Sequence, residues 1–143
     1  MTMPRIEGCM DPVTHAVRAG DDLYEVVRML ITESVTGAPV VDESGRVVGM
    51  LTEGDCLRLL SKGSGGDVPR GTVREFMSES NVTVSPEMDI YYAAGLFNGK
   101  PERRRFAVVD GDDKLVAVVT RKDILKLVHR ELMCSPSVVP PAD

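Results

Sequence analysis

The sequence contains one pattern twice, and both copies keep the same order and spacing. Residues 38–42 (APVVD) and 49–55 (GMLTEGD) recur 68 positions later as residues 106–110 (FAVVD) and 117–123 (AVVTRKD). A unit of this size cannot bury a core by itself, so two copies are expected to pack face to face. The repeat therefore predicts two similar units, with a ligand site at the seam between them.

The composition is that of an ordinary globular chain. The length of 143 residues is that of one domain. Because 43% of the residues are hydrophobic and 27% are charged, the composition argues against disorder. The net charge of -5 should repel nucleic acid and anionic membranes. Apolar runs such as 47–51 and 115–119 fall far short of the roughly 20 residues that span a bilayer, and residues 1–5 lack an apolar signal core. We therefore expect a cytoplasmic protein that binds neither nucleic acid nor membrane.

The cysteines and histidines show no metal-site spacing. Cys9, Cys56 and Cys134 include no CxxC pair, so neither a disulfide framework nor a zinc site is indicated and free reduced thiols are expected. His15 and His129 lie more than a hundred positions apart, with no Glu or His at metal-ligand spacing. We predict no metal.

Each copy has the pattern of a helix followed by a strand hairpin and a second helix. Apolar side chains recur at helical spacing at Leu23, Val26, Val27, Leu30 and Ile31, and again at Ile90, Ala93, Ala94 and Phe97. Short apolar runs joined by Gly- and Asp-containing turns predict hairpins at 39–51 and 107–119. The closing helices contain Leu57, Leu59 and Leu60 in the first copy and Ile124, Leu125, Leu127, Val128 and Leu132 in the second.

Leading strands are expected at 14–17 and 82–84, so each copy is predicted to be β-α-β-β-α. The fold class is α/β (α+β). The first repeat spans 1–62 and the second spans 73–134. Residues 63–72 are expected to be a Gly/Ser-rich linker, and residues 135–143 are expected to be a proline-rich flexible tail.

Three features occur twice in register: the APVVD strand, the Ser-Gly or Asp-Gly turn, and the motif Gly-hydrophobic-x-Thr-x-x-Asp. Together they resemble a tandem pair of cystathionine-β-synthase (CBS) domains, also called a Bateman module. The resemblance covers roughly residues 5–132. It implies two pseudo-symmetric β-α-β-β-α repeats packed through their sheets, two clefts between them and a disk-like homodimer. It also implies binding of an adenosine-containing ligand such as AMP, ADP, ATP or S-adenosylmethionine.

The Thr-x-x-Asp pairs, Thr52 with Asp55 and Thr120 with Asp123, allow two interpretations. Their spacing is that of a capping box at a helix N-terminus, and each Asp also favours the positive end of its helix dipole. The resemblance implies that the same oxygens bind the ligand ribose, since a carboxylate accepts from paired hydroxyls and a Thr hydroxyl donates or accepts. One pair can serve both purposes.

Positive charge is concentrated in the second copy. Arginine presents planar donors that match phosphate oxygens, and the resemblance implies that Arg104 and Arg105, at the entrance of a strand, and Arg121, at the start of the last helix, face the ligand phosphates. The alternative is a solvated turn that balances the acidic surface. The second copy is accordingly expected to be the site for a charged nucleotide.

The resemblance also implies a cleft wall against the base, formed by Val84, Ala107, Val108, Val17, Pro39 and Val40. Two residues depart from the family motif, because Ala107 stands where the first copy has Pro39 and Ala117 stands where it has Gly49. These changes alter the backbone constraints in the second copy.

No nucleophile beside a base, metal cluster or phosphate loop is visible, so we predict no catalysis. The expected function is a stand-alone regulatory module that binds AMP, ADP or ATP in the inter-repeat cleft, requires no cofactor and signals by a conformational or dimer change to a regulated protein. The alternatives are a ligand-independent dimeric interaction scaffold and a sensor of S-adenosylmethionine or NAD.

Overall fold

The structure is a computed structural model that describes residues 3–12, 15–63, 65–79, 83–101 and 103–133. Within these residues it contains two sheets and five α-helices, so the predicted α+β class is confirmed. The helices are α1 (Leu23–Glu33), α2 (Glu53–Leu60), α3 (Val73–Phe76), α4 (Ile90–Gly99) and α5 (Arg121–Val128). The strands are β1 (Asp11–Pro12), β2 (Val17–Arg18), β3 (Gly37–Val41), β4 (Val47–Thr52), β5 (Thr83–Val84), β6 (Arg105–Val109) and β7 (Leu115–Thr120).

The chain forms two compact units. One, here called the first-copy unit, comprises the described residues of Val13–Val82 and Asp112–Leu115. The other, the second-copy unit, comprises those of Met1–Pro12, Thr83–Gly111 and Val116–Asp143. Each contains its own copy of the predicted β-α-β-β-α order. Among the described residues, no helix has the length and apolar character needed to cross a membrane.

The first-copy unit is built on the three-stranded sheet β2-β3-β4. β2 runs parallel to β3, with Val17 beside Val40, and β3 runs antiparallel to β4. The core beneath this sheet includes Leu23, Val26 and Leu30 of α1. These are the apolar positions that the helical spacing predicted to face inward.

The second-copy unit is built on the four-stranded sheet β1-β7-β6-β5. β5 runs parallel to β6, with Val84 beside Val108, and β1 runs antiparallel to β7. Ile90, Ala93 and Phe97 of α4 are buried, and the Phe97 ring lies 4.2 Å, centroid to centroid, from that of Phe106. This unit repeats the first, with an added edge strand.

The segment that leads into each copy belongs to the unit of the other copy. Residues 6–8 form a 3-10 turn in the second-copy unit, where the backbone N–H of Ile6 donates to Met88 O at 2.9 Å. At the matching position of the repeat, Val73 begins α3 in the first-copy unit and donates to Asp21 O at 3.0 Å. Both side chains are fully buried. The compact units therefore differ from the contiguous repeats read from the sequence.

Some predicted core positions are exposed. Ile31 of α1 is 73% exposed, because Leu23, Val26 and Leu30 already fill the inward face of that helix. In α2 the buried residues are Cys56 and Leu59, so the predicted Leu57 and Leu60 lie off the buried face. Ala94 and Leu125 are likewise exposed in the second copy.

The first leading strand begins later than predicted. β2 begins at Val17 rather than at residue 14, because its parallel pairing with β3 involves only Val17 and Arg18. Thr14 and Val82, where the predicted strands begin, lie outside the described residues, as do Cys134 and the tail 135–143. Leu132 falls in a π-helical turn whose last side chains are also outside the description.

The buried leading segment generates a stability prediction. Replacing Ile6 by Ala removes a fully buried side chain and leaves a cavity, so the free energy of unfolding should fall by about 2–5 kcal/mol. The matched control is Ile31→Ala, which truncates the same residue type at a site that is 73% exposed and should change stability by less than about 1 kcal/mol. Urea unfolding of both variants measures the difference. Equal losses would show that the leading segment is not packed as described.

Candidate functional site

The Thr-x-x-Asp motifs form capping boxes in both copies. At the start of α2, the backbone N–H of Asp55 donates to the Thr52 hydroxyl at 3.3 Å, and the N–H of Thr52 donates to Oδ2 of Asp55 at 2.9 Å. At the start of α5, the same two bonds join Asp123 and Thr120 at 3.2 and 2.9 Å. Each box begins a helix directly at the end of a strand and fixes the orientation of one carboxylate.

In the first copy, an arginine engages the other oxygen of this carboxylate. Arg58 Nη2 donates to Oδ1 of Asp55 at 3.0 Å and to the carbonyl oxygen of Phe76 at 2.6 Å. The Asp55 side chain is only 17% exposed. The guanidinium of Arg58 and the ammonium of Lys62 both lie over the Phe76 ring, at 5.6 and 5.0 Å from its centroid. Asp55 is therefore held by a partner of opposite charge.

In the second copy, the corresponding carboxylate lies at a cavity of about 240 Å³. The cavity lies within the second-copy unit and is lined by Gly8, Cys9, Met10, Asp11, Asp123, Lys126, Leu127 and Arg130. Lys126 and Arg130 occupy the repeat positions of Arg58 and Lys62, 68 residues on. Arg130 Nη2 donates to Gly8 O at 3.0 Å, which ties the π-helical turn after α5 to the leading segment.

A second acidic residue lies beside Asp123. Burial, the negative charge of Asp123 and a hydrogen bond between the two carboxyl groups all raise the pKa of Asp11, and Lys126 opposes them. Burial and then the charge of Asp123 raise the pKa of the Cys9 thiol to about 11, against a lowering effect of Arg130. The raised pKa keeps the Cys9 thiol protonated at neutral pH, which disfavours a nucleophilic role.

None of the predicted phosphate-binding arginines, Arg104, Arg105 and Arg121, lines this cavity. Arg121 Nη2 donates to Pro101 O at 2.7 Å, and its guanidinium lies 5.7 Å from the centroid of the Phe97 ring. It lines a different groove, of about 530 Å³, between α4 and α5. Arg104 is exposed and Arg105 is half-buried at the start of β6. Their role in binding phosphate stays a prediction.

The predicted cleft-wall residues are buried in the sheet of their own unit. This holds for Val17, Pro39, Val40, Val84, Ala107 and Val108. Two pairs are direct neighbours on parallel strands, Val17 with Val40 and Val84 with Val108. These residues pack the strand ends of each unit, and their contact with a ligand base remains a prediction.

The first copy needs glycine at position 49 because the backbone of Ser78 approaches β4 closely there. A Cβ atom on Gly49 would lie 2.6 Å from Ser78 O and 3.1 Å from the sulfur of Met77, because β4 is bridged there by residue 78. In the second copy, Ala117 occupies this position, is buried and pairs with Pro12 of β1. The leading segments therefore contact β4 in the first copy and β7 in the second copy differently.

Within the described residues, no group of three or more His, Cys, Asp or Glu side chains is arranged to hold a metal ion, and Cys9 and Cys56 are free thiols. Burial and the charge of Asp55 raise the pKa of Cys56. The chemistry that this arrangement offers is hydrogen bonding and charge. The acceptors are the capping carboxylates, and the basic groups are Lys126 and Arg130 at the second-copy cavity.

Sequence reasoning did not identify Asp11, Lys126 or Arg130. Aligning the copies would have paired Asp11 with Ser78 and shown an acidic residue that the first copy lacks. It would not have placed Asp11 beside Asp123, because the leading segment lies in the unit of the other copy.

Comparison with known proteins identifies the repeat. A family model described as CBS domain matches twice, at residues 6–62 and 73–130. An uncharacterized 33.4 kDa protein from the ribosomal RNA operon of Thermofilum pendens is 33% identical over 110 residues, which are 77% of this chain and 35% of that protein. The chain thus spans about a third of the length of this relative.

Solved structures share the fold. The crystal structure of CBSX2 in complex with AMP is 26% identical, covers 88% of this chain and 96% of its own, and has a TM-score of 0.76; CBSX2 is from Arabidopsis thaliana. The CBS domain pair of protein MJ0100, in complex with 5-methylthioadenosine and S-adenosyl-L-methionine, is 22% identical, covers 91% and 99%, and has a TM-score of 0.77.

The close approach at Gly49 can be tested directly. Gly49→Ala should lower the free energy of unfolding by about 1–3 kcal/mol, because the new methyl group overlaps the carbonyl oxygen of Ser78. The matched control is Gly95→Ala on α4, where a Cβ meets nothing within 4 Å and alanine favours the helix by up to about 1 kcal/mol. Urea unfolding should move the two midpoints in opposite directions. A neutral Gly49→Ala variant would contradict the described contact.

Proposed function

The chain belongs to the CBS domain family, and from this premise we propose that it is a regulatory module that binds an adenosine-containing ligand through its Thr-x-x-Asp motifs. The observation that carries the proposal is the pair of fixed carboxylates at the starts of α2 and α5. Each capping box holds its carboxylate in one orientation. A carboxylate has about four lone-pair sites, so capping leaves acceptors for the vicinal hydroxyls of a ribose.

The second copy is proposed as the site for a charged nucleotide such as AMP, ADP or ATP. Its cavity already carries two basic groups, Lys126 and Arg130, next to Asp123. Arg104 and Arg105 are proposed to add phosphate contacts from the entrance of β6. In the first copy, Arg58 engages the free oxygen of Asp55, which disfavours a competing ribose there. The AMP complex of CBSX2 supports the ligand class.

The proposed mechanism is a shift between conformations. A ligand that prefers one conformation of the module changes its population and thereby the surface offered to a regulated protein. The groups described supply binding and no activated nucleophile, so we propose a regulatory rather than a catalytic protein that requires no cofactor. A cytoplasmic location remains a prediction.

A homodimer is proposed from exposed apolar side chains on the closing helices. Leu57 of α2 is 62% exposed, and Leu125, at the same repeat position on α5, is 67% exposed. An apolar residue kept exposed in both copies suits a self-complementary interface in a symmetric dimer.

A ligand-independent interaction scaffold is the second candidate. It is favoured by the capping boxes, because each Thr and Asp already has a structural role without a ligand. Under this alternative, the protein acts by binding a partner through its exposed apolar residues, and no small ligand is involved. A sensor of S-adenosylmethionine or NAD is a variant of the first candidate that differs only in the ligand.

Thermal unfolding with AMP, ADP, ATP, S-adenosylmethionine and NAD tests the function. At about a hundredfold excess over its Kd, a ligand should stabilise the protein by about 2.7 kcal/mol, which raises the Tm by several degrees. Asp123→Ala should abolish the shift, because it removes the proposed ribose acceptor. Asp55→Ala should reduce it less.

The matched control is Asp89→Ala. Asp89 caps α4 by accepting from the backbone N–H of Tyr92 at 2.9 Å, so its loss weakens a helix N-terminus without touching a Thr-x-x-Asp motif. This variant should have a lower Tm and keep the full ligand shift. If no adenosine-containing ligand shifts the wild-type Tm, the scaffold becomes the better account.

Analytical ultracentrifugation tests the dimer. Leu57→Asp and Leu125→Asp each place a charge on the proposed interface, so the double variant should sediment as a monomer at concentrations where the wild type is a dimer. Val68→Asp is the control, since Val68 is 66% exposed and lies outside the helices. A monomeric wild type would refute the proposed dimer.

A further inference from the structure

One arginine already occupies the free oxygen of the first-copy carboxylate. Oδ2 of Asp55 accepts from the backbone N–H of Thr52 in the capping box, which leaves Oδ1 as the oxygen for a ligand hydroxyl. Arg58 Nη2 donates to this Oδ1 at 3.0 Å. The Asp55 side chain is only 17% exposed, so little of its surface is open to a second donor. A ribose hydroxyl and Arg58 therefore compete for the same atom.

Two further contacts hold Arg58 at this oxygen. The same Nη2 donates to the carbonyl oxygen of Phe76 at 2.6 Å, and the guanidinium lies 5.6 Å from the centroid of the Phe76 ring. The ring itself is fixed, since Phe76 is buried in the core of the first-copy unit. A planar guanidinium can stack on a ring while its N–H groups bond to acceptors. Arg58 is therefore positioned in advance and loses little freedom when it binds Asp55.

The second copy lacks both parts of this arrangement. Lys126 stands at the repeat position of Arg58, and Cys9 stands at the position of the leading segment that matches Phe76. Among the residues that the structure describes, no arginine or lysine forms a salt bridge with Asp123. The carboxylate of the second copy therefore has no tethered arginine on it.

We propose that Arg58 determines the order in which the two copies bind: it is a tethered competitor that keeps the first-copy carboxylate closed to a ribose. This inference rests on the proposed function and deepens it. A ribose enters the first copy only when Arg58 leaves Oδ1 of Asp55, whereas the second copy needs no such displacement. Two motifs with the same sequence pattern thus respond to different ranges of ligand concentration.

The size of the effect follows from the fraction of molecules in which the site is closed. The apparent Kd equals the intrinsic Kd divided by the open fraction. A hydrogen bond to a charged group changes an equilibrium by about tenfold or more, and the low end applies here because the Arg58 side chain is 60% exposed to solvent. Removal of the arginine should therefore lower the first-copy Kd by about tenfold.

Amide chemical shifts during a titration with adenosine test the proposal, because adenosine has the ribose diol but no phosphate for Arg58 to attract. The backbone N–H of Asp55 reports on the first copy and that of Asp123 on the second, since each donates within its own capping box. One titration of the isotopically labelled protein therefore gives a separate Kd for each copy.

Two variants change the competitor. Arg58→Met keeps an unbranched apolar stem over the ring but has no donor, and Arg58→Lys keeps the charge and installs the residue type of the second copy. The matched control is Arg28→Met on α1 of the same unit. Arg28 pairs at 2.8 Å with Glu25, three residues before it, so this variant removes an ion pair of the same spacing away from the motif.

We expect Arg58→Met to lower the first-copy Kd by about tenfold. Arg58→Lys should lower it by less, because an ammonium group still attracts Asp55 but lacks the planar fork. The second-copy Kd should stay the same in both variants. Arg28→Met should match the wild type at both copies.

A first-copy Kd in Arg58→Met that equals or exceeds the wild-type value overturns this inference and leaves the proposed function standing. The same holds if, in Arg58→Met, the Asp55 amide stays unmoved while the Asp123 amide titrates. Absence of saturable shifts at both amides in all the proteins overturns both. Circular dichroism confirms that the proteins compared are folded.

Discussion

The burial of each leading segment in the unit of the opposite copy is the constraint on which the candidate site depends. Ile6 and Val73 occupy matching repeat positions and are fully buried, and each begins a short turn that places the next residues beside a closing helix. In the first-copy unit this brings Phe76 to Arg58, and in the second-copy unit it brings Gly8 to Arg130. Truncating a buried isoleucine costs about 2–5 kcal/mol, a large part of the stability of a small domain, so this packing is strongly specified.

The capping boxes link stability to recognition. The same four hydrogen bonds that begin α2 and α5 also fix the orientation of the Asp55 and Asp123 carboxylates. A side chain already ordered for a structural reason loses little further freedom when a ligand binds, which favours affinity. Capping and ribose binding are therefore compatible roles of one residue pair.

Much of the fold follows from the sequence because the repeat imposes the same periodicity twice. Leu23, Val26 and Leu30 are buried as their spacing predicts, and both hairpins form at the predicted turns. Leu57 and Leu125 are apolar but exposed, which helical periodicity did not predict, because an apolar residue in a helix does not by itself show that the core covers it. The Thr-x-x-Asp pairs were predictable from local spacing, whereas Asp11 was not, since its neighbour Asp123 is distant in sequence and the leading segments are exchanged between units.

Amide chemical shifts of the isotopically labelled protein during an AMP titration test the central claim most directly, because the backbone N–H groups of Thr120 and Asp123 take part in the capping box itself. We predict saturable shifts at these two amides at lower AMP concentrations than at Thr52 and Asp55. Saturable binding that leaves all four amides unmoved, or no binding of AMP, S-adenosylmethionine or NAD at any concentration, would contradict the assignment of the Thr-x-x-Asp motifs as the ligand site.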